Sequence, residues 1–395
     1  MYRNSGFGLI EVLISLALTL LATIAIYQIF NSSEGFRRAT LGNGNAQSSG
    51  GIAIMQIQKD IERAGYGIGV DRALNCNIVS ANAGFSNIRL VPAIIESAGT
   101  SDRITLLYSD SPAGGMPALL GDGVAHTQDH NQFANVQLAG QFIVNDLIVA
   151  WPDPGKKAAA AAQQPCQLYQ VTCTNATPCA GAPVSTQDFA LGHAATGNIW
   201  NTKITTAPLP VDLPAKTTRL FDFGSMVRRT YCVYLAGNPN KCPNATDKID
   251  GSLISMDALD RQAALDGSWK TTTENVIQMQ AQYGLDTNAD GDNIANNVTA
   301  AGWTKTTPTT MQGWKQLIAI RYAVLVRSAT PDKPKRDDSC DTTAKDAKFI
   351  WAGGEFSTPE NAQPSDTNWQ CYHYSVHETI VPLRNQLLLN QPALF

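Results

Sequence analysis

Nineteen consecutive uncharged residues, Val12–Phe30, stand near the start of this 395-residue chain. That is close to the roughly 20 helical residues that cross the hydrocarbon core of a bilayer. Arg3 precedes the run, which favours keeping that end on the cytoplasmic side. A cleaved secretory signal has an apolar stretch of about 7–15 residues followed by an A-x-A-like site. No such site follows here, so the segment is predicted to stay as an anchor. Its odd residue is Glu11, at the edge of the run. A carboxylate costs about 2.5–3.5 kcal/mol at the centre of a membrane helix, so a functional partner is expected. An amine is the natural partner for a desolvated carboxylate.

Beyond the anchor the chain is apolar enough, at 44 %, to build a real core, and long enough for one large or two modest globular units. The net charge of −4 gives no basic excess, so nucleic acid is not an expected partner. Eight cysteines, Cys76, Cys166, Cys173, Cys179, Cys232, Cys242, Cys340 and Cys371, all lie past the anchor, and none forms a C-x-x-C pair. In an exported chain they read as disulfides rather than as a zinc or redox site. Their 105 possible connectivities stay open. Cys232–Cys242 and Cys340–Cys371 are the preferred bridges, because each brackets a loop rich in Pro, Asn and Asp.

The residues Gly6-Phe7-Gly8-Leu9-Ile10-Glu11-Val12-Leu13-Ile14-Ser15 resemble the cleavage and methylation motif of type IV prepilins. The resemblance implies that a prepilin peptidase removes residues 1–6, cutting between Gly6 and Phe7, and that Phe7 becomes the N-methylated first residue. Glu11 then meets the terminal amine of a neighbouring subunit in the membrane.

After the membrane segment, residues 7–30, the helix is expected to continue over residues 31–66. Ile54, Ile57, Ile61 and Ala64 recur on one stripe, with Gln56, Gln58, Lys59, Asp60 and Glu62 on other faces. Gly42, Gly44, Gly50 and Gly51 each weaken a helix by about 1 kcal/mol, which predicts a break or flexible stretch near residues 42–51. Past residue 67, β-like runs at Arg103–Tyr108, Gln141–Ala150, Val227–Leu235 and Ile318–Arg327 alternate with turn clusters. Residues 110–135 and 152–215 are rich in Gly, Pro, Ala, Asn and Thr and read as surface loops, within an insertion spanning about 110–260.

Four further stretches resemble PilW-type minor pilins: Gln56-x-x-Lys59-Asp60-Ile61-x-x-Ala64-Gly65-Tyr66, the segment from Tyr283 to Asp292, the strand Ile318–Ser328, and the later Val381-Pro382-Leu383-Arg384-Asn385. The resemblance implies an α+β pilin fold, in which a long N-terminal helix packs its second half on an antiparallel sheet head of residues 67–395 with large loop insertions. It further implies a non-enzymatic minor pilin that primes pilus assembly at or near the filament tip. The implied partners are the major pilin, other minor pilins, the inner-membrane assembly platform and a tip adhesin. The subunit would lie in the inner membrane first and in the pilus at the cell surface afterwards. A minor pseudopilin of a type II secretion system and a tip adhesin or ligand-binding module are the rival readings.

Asp286, Asn288, Asp290 and Asp292 alternate around Gly291, as the first seven positions of an EF-hand loop do. Position 12 is Asn297 rather than the bidentate Glu, so a differently completed calcium site is expected. His126 with His130, and His373 with His377, are spaced like metal pairs but read as exposed or satisfied histidines. The chain has no G-x-S-x-G, no H-E-x-x-H and no glycine-rich phosphate loop.

Overall fold

The computed structural model describes residues 8–68, 74–79, 88–112, 116–121, 132–133, 135–137, 139–153, 165–174, 191–193, 200–201, 213–235, 242, 248, 251–257, 269–287, 298–335, 337–362 and 368–389. Helix α1 is continuous from Leu9 to Arg63 over 55 residues. The strands of five or more residues are β1 (Ala93–Ala98), β2 (Ser101–Tyr108), β3 (Leu147–Pro152), β4 (Cys166–Gln170), β5 (Thr218–Asp222), β6 (Val227–Tyr234), β7 (Ser252–Asp257), β8 (Lys270–Glu274), β9 (Val276–Leu285), β10 (Leu317–Arg327) and β11 (Tyr374–Pro382).

They form three main sheets among the described residues. The first has the order Trp303–Thr304, β9, β10, β11 and is antiparallel throughout. The second runs β8, β7, β6, β2, β1, also antiparallel. The third runs Ile88–Arg89, Asn77–Val79, β4, β3, β5, Ala118–Leu119, and its Asn77–Val79 to β4 pairing is parallel.

The expected break near residues 42–51 is absent, and the reason is packing. Gly42 and Gly50 are buried, and a Cβ on them would stand 3.0 Å from Ser328 Cβ and 2.2 Å from His377 Cδ2. Together with Ala46 and Ala53 they extend the Ile57–Ile61–Ala64 stripe backwards as a shallow notch that β10 and β11 fill. The glycines that face away, Gly44 and Gly51, have nothing within 4 Å. Propensity lost inside the helix is outweighed by close contact with the sheet.

Three strand expectations shift. The run expected at Gln141–Ala150 starts at Leu147, because Ile143 is exposed and Asn145 turns the chain at φ 82°. Residues 152–215, read as loop, contribute β4 to the third sheet. Within 110–260, β6 is the middle strand of the second sheet, so this span is woven into the head. In β3, Leu147, Val149 and Trp151 join the main core, while Ile148 and Ala150 face a second core with Phe133, Leu213 and Leu220. Both faces of β3 are buried, which explains why it reads as an unbroken apolar run.

The first two sheets are joined by side chains. Ser101 Oγ accepts the Met279 N–H at 2.9 Å and donates to its carbonyl at 3.2 Å, and Asp102 Oδ2 accepts the Ala281 N–H at 2.9 Å.

Candidate functional site

Between Leu9 and Leu41 no helix side chain is buried; burial begins at Gly42. The most apolar window of this half has a mean hydropathy of 2.5, with none of it buried against the head. Three of its hydroxyls are satisfied within the helix: Ser15 donates to Val12 O at 2.9 Å, Thr19 to Ser15 O and Thr23 to Thr19 O, both at 2.7 Å. A segment surrounded by lipid must satisfy its polar groups internally, as these three hydroxyls do. Glu11 lies in the first turn, where its carboxylate accepts the Gly8 N–H at 3.2 Å and complements the positive end of the helix dipole. Gly6 and Phe7 lie outside the described residues. Just past the apolar run, Glu34 takes two hydrogen bonds from Arg37 and one from Arg38. These bonds, Arg37's first, hold its carboxyl down at about 2.

The other half of α1 is held by specific bonds as well as by its apolar stripe. Asp60, 1 % exposed, receives Tyr108 OH at 3.0 Å on Oδ1; Tyr231 OH at 2.6 Å and Arg229 Nη1 at 3.0 Å meet on Oδ2. Arg229 reaches Asp257 as well, at 3.7 Å. Burial, reinforced by the Asp60 charge, pushes the Tyr108 hydroxyl up to about 12 and Tyr231 higher still, so both stay protonated donors. One charge buried in the helix stripe is thus answered by one cation and two hydroxyls from β2 and β6, which fixes how far along the sheet the helix sits. Higher on the helix Tyr322 OH donates to Ile54 O at 2.6 Å. At its end Asn385 Nδ2 reaches the carbonyls of Glu62, Arg63 and Ala64 at 3.4, 3.1 and 3.2 Å, satisfying acceptors the helix leaves open. Gly65, at φ 82°, then turns the chain away in the left-handed region.

Sequence reasoning placed Asp60 on a polar face, read His377 as an exposed or satisfied histidine, took Gly42 and Gly50 as weak points of the helix, and gave Asn385 no role at the helix end. A signal was present: Gly42, Ala46, Gly50, Ala53, Ile57 and Asp60 follow one another at spacings of three and four, which puts Asp60 on the buried stripe.

Both preferred bridges are present, Cys232–Cys242 and Cys340–Cys371, and a third joins Cys76 to Cys166 across the parallel pair of the third sheet. Cys173 is also disulfide-bonded, and Cys179 lies outside the described residues. Of the acidic loop only Asp286 is described. It is buried at the end of β9, with its N–H donating to Gln316 O at 2.8 Å. Asn288, Asp290 and Asp292 lie outside the described residues, as do His126 and His130. His377 packs its ring against Gly50, and His373 Nε2 lies 3.0 Å from Asp332 Oδ2. No group of three or more His, Cys, Asp or Glu placed to hold a metal occurs among the described residues.

Residues 1–27 match the prokaryotic N-terminal methylation motif, and residues 250–385 match the family described as Type IV Pilus-assembly protein W. The two matches support a type IV pilus minor pilin, similar to the PilW family over residues 250–385. No curated protein and no solved structure matches the chain. The methylation motif and the bare apolar helix make this minor pilin an inner-membrane protein that later enters the pilus. The PilW match covers β7 to β11 and reaches Asn385, so it contains the whole first sheet, on which α1 rests. The third sheet, strapped by Cys76–Cys166, lies wholly outside it.

Proposed function

We propose that this minor pilin primes pilus assembly and occupies the filament tip or a position next to it. The observation that carries this reading is the bulk of the head. The first sheet, with β2 and β6 of the second, holds the helix, and a further sheet of six strands is added beyond them. In a shaft every subunit is hemmed in by neighbours one axial step above and below, and a head enlarged in this way would collide with them. A tip subunit has one unoccupied side. The role is mechanical rather than catalytic, and its partners are the major pilin, other minor pilins and the inner-membrane assembly platform, with a tip adhesin as a further companion. Before assembly a prepilin peptidase cuts between Gly6 and Phe7, and Phe7 is N-methylated.

Gold labelling of an epitope inserted after Pro331, in an exposed turn, tests the position. Label confined to filament ends is expected, and label spaced along the shafts refutes the reading. Glu11→Val tests the pairing. It removes a desolvation cost, so insertion into the membrane should persist while incorporation into filaments and twitching fall. Normal incorporation of the variant would rule out a Glu11–amine pair in this subunit.

We infer in addition that the Asp286–Asp292 turn takes calcium. Its supports are the alternation of four oxygen-bearing side chains and the anchoring of Asp286 at the end of β9.

A further inference from the structure

The apolar run of α1 ends at Phe30, and a cleft of about 670 Å³ opens immediately beyond it. One wall is the helix, with Asn31, Glu34, Phe36 and Arg38; the other is the turn carrying Asp332 and Lys333, which the head brings back to the helix. At a rise of 1.5 Å per residue Asn31 stands about 1.5 Å, and Arg38 about 12 Å, past the last apolar residue. The headgroup layer of a bilayer is about 5–8 Å deep on each side of the hydrocarbon. The cleft therefore begins at the hydrocarbon edge and crosses the headgroup layer, and Arg38 stands about 4–7 Å beyond that layer, within the length of an arginine side chain reaching back toward it.

Its charges are unevenly spent. Glu34 is answered by both Arg37 and Arg38. Asp332 accepts Thr342 Oγ1 at 2.8 Å and lies 3.0 Å from His373 Nε2. The cations keep spare donors. Arg38 gives its Nε to Glu34 at 3.1 Å, which leaves both terminal amino groups of its guanidinium. Lys333 is exposed, and no carboxylate pairs with it among the described residues. Phe36, 75 % exposed, adds an apolar surface in the same wall.

We propose that this cleft seats the phosphate of an anionic phospholipid of the periplasmic leaflet, between Arg38 and Lys333, while the subunit is anchored in the inner membrane. Extraction into a filament leaves the lipid behind, so the seat ties the unassembled subunit to the membrane surface. A basic residue near an anionic membrane surface is worth about a fivefold change in affinity, and the two cations act on the same group.

The test uses the full chain in mild detergent, titrated with dioleoyl phosphatidylglycerol or dioleoyl phosphatidylcholine, with bound lipid counted by native mass spectrometry. One phosphatidylglycerol retained in preference to phosphatidylcholine is expected. Arg38→Gln and Lys333→Gln should each weaken its retention about fivefold, while Lys333→Arg retains it. Both side chains are exposed, so circular dichroism should show the fold intact. Equal retention of the two lipids, or wild-type retention by Lys333→Gln, overturns the proposal. Displacement of the lipid by millimolar inorganic phosphate also overturns it, in favour of a soluble anion as the occupant.

Discussion

Gly50→Ala separates a packed helix from a weakened one. Alanine is about 1 kcal/mol better than glycine inside a helix. On a bare helix the substitution stabilises, and that is the expectation for Gly44→Ala and Gly51→Ala, whose new Cβ atoms meet nothing within 4 Å. At Gly50 the new methyl would lie 2.2 Å from His377 Cδ2, 2.5 Å from Nε2 and 2.7 Å from Cγ. The whole imidazole must then move, and His377 sits on β11 beneath the helix, with Ser375 Oγ 3.2 Å from its Nε2. Overpacking of this kind costs about 1–3 kcal/mol, so the net effect of Gly50→Ala is a loss of about 0–2 kcal/mol instead of a gain of about 1. In a Gly50→Ala, His377→Ala pair the clash is gone, and the double variant should be more stable than the two single effects sum to, by about 1–3 kcal/mol. Urea unfolding of the detergent-solubilised chain, followed through near-ultraviolet circular dichroism, reads all five variants on one scale. If Gly50→Ala stabilised as much as Gly44→Ala, with no coupling to His377, the notch would not be what keeps glycine in this helix.

Three further outcomes are expected. Asp60→Ala should cost about 3 kcal/mol or more in the same unfolding assay, because it strands Arg229 and two tyrosine hydroxyls, whereas Tyr231→Phe, which removes one donor, should cost about 1.5–3; equal, small losses would show that the charge is not buried in solution. Burial, with Asp222 and Asp110 nearby, raises the Asp146 carboxyl to about 6; a folded-state value above the unfolded one adds stability that is full below about pH 4 and is lost as pH rises through about 6, so Asp146→Asn should flatten the stability profile between pH 4 and 6, and an unchanged profile would refute the shift. The chain should melt higher in calcium than in chelator, by an amount equivalent to about 1–3 kcal/mol at roughly 10–100 times the dissociation constant, and Asp290→Ala should abolish the difference; identical melting in both leaves a plain acidic turn.

What could be read from the sequence was local. The anchor, the Gly6-Phe7…Glu11 motif, the Ile57–Ile61–Ala64 stripe and the bridges across 10 and 31 residues each lie within a short window. What was missed depends on distant partners. Cys76 pairs with Cys166 across 90 residues, and the Asp60 donors come from 48, 169 and 171 residues away. The helix break was expected because glycine was counted at its intrinsic cost, without the strands that make a missing side chain useful at Gly42 and Gly50. Strand β4 was hidden for a similar reason. Gln167, a polar residue in a loop-like stretch, is buried at 3 % by its neighbours in the third sheet.

The residues that carry the PilW resemblance are also the ones that fasten the helix. Asp60 receives the buried cluster, Gly65 turns the chain at the helix end, Asn385 closes the last carbonyls, and Ser328 meets Gly42 at the end of β10. A pilin pulled from the membrane by its N-terminal helix must pass that pull to its head through this seam. An apolar stripe alone resists sliding weakly, because burial is non-directional. Four fixed polar and steric points spread between residues 42 and 65 resist it far better, since any axial slip breaks several of them together. The third sheet, outside the PilW match, touches none of these points, so its sequence is unconstrained by the seam.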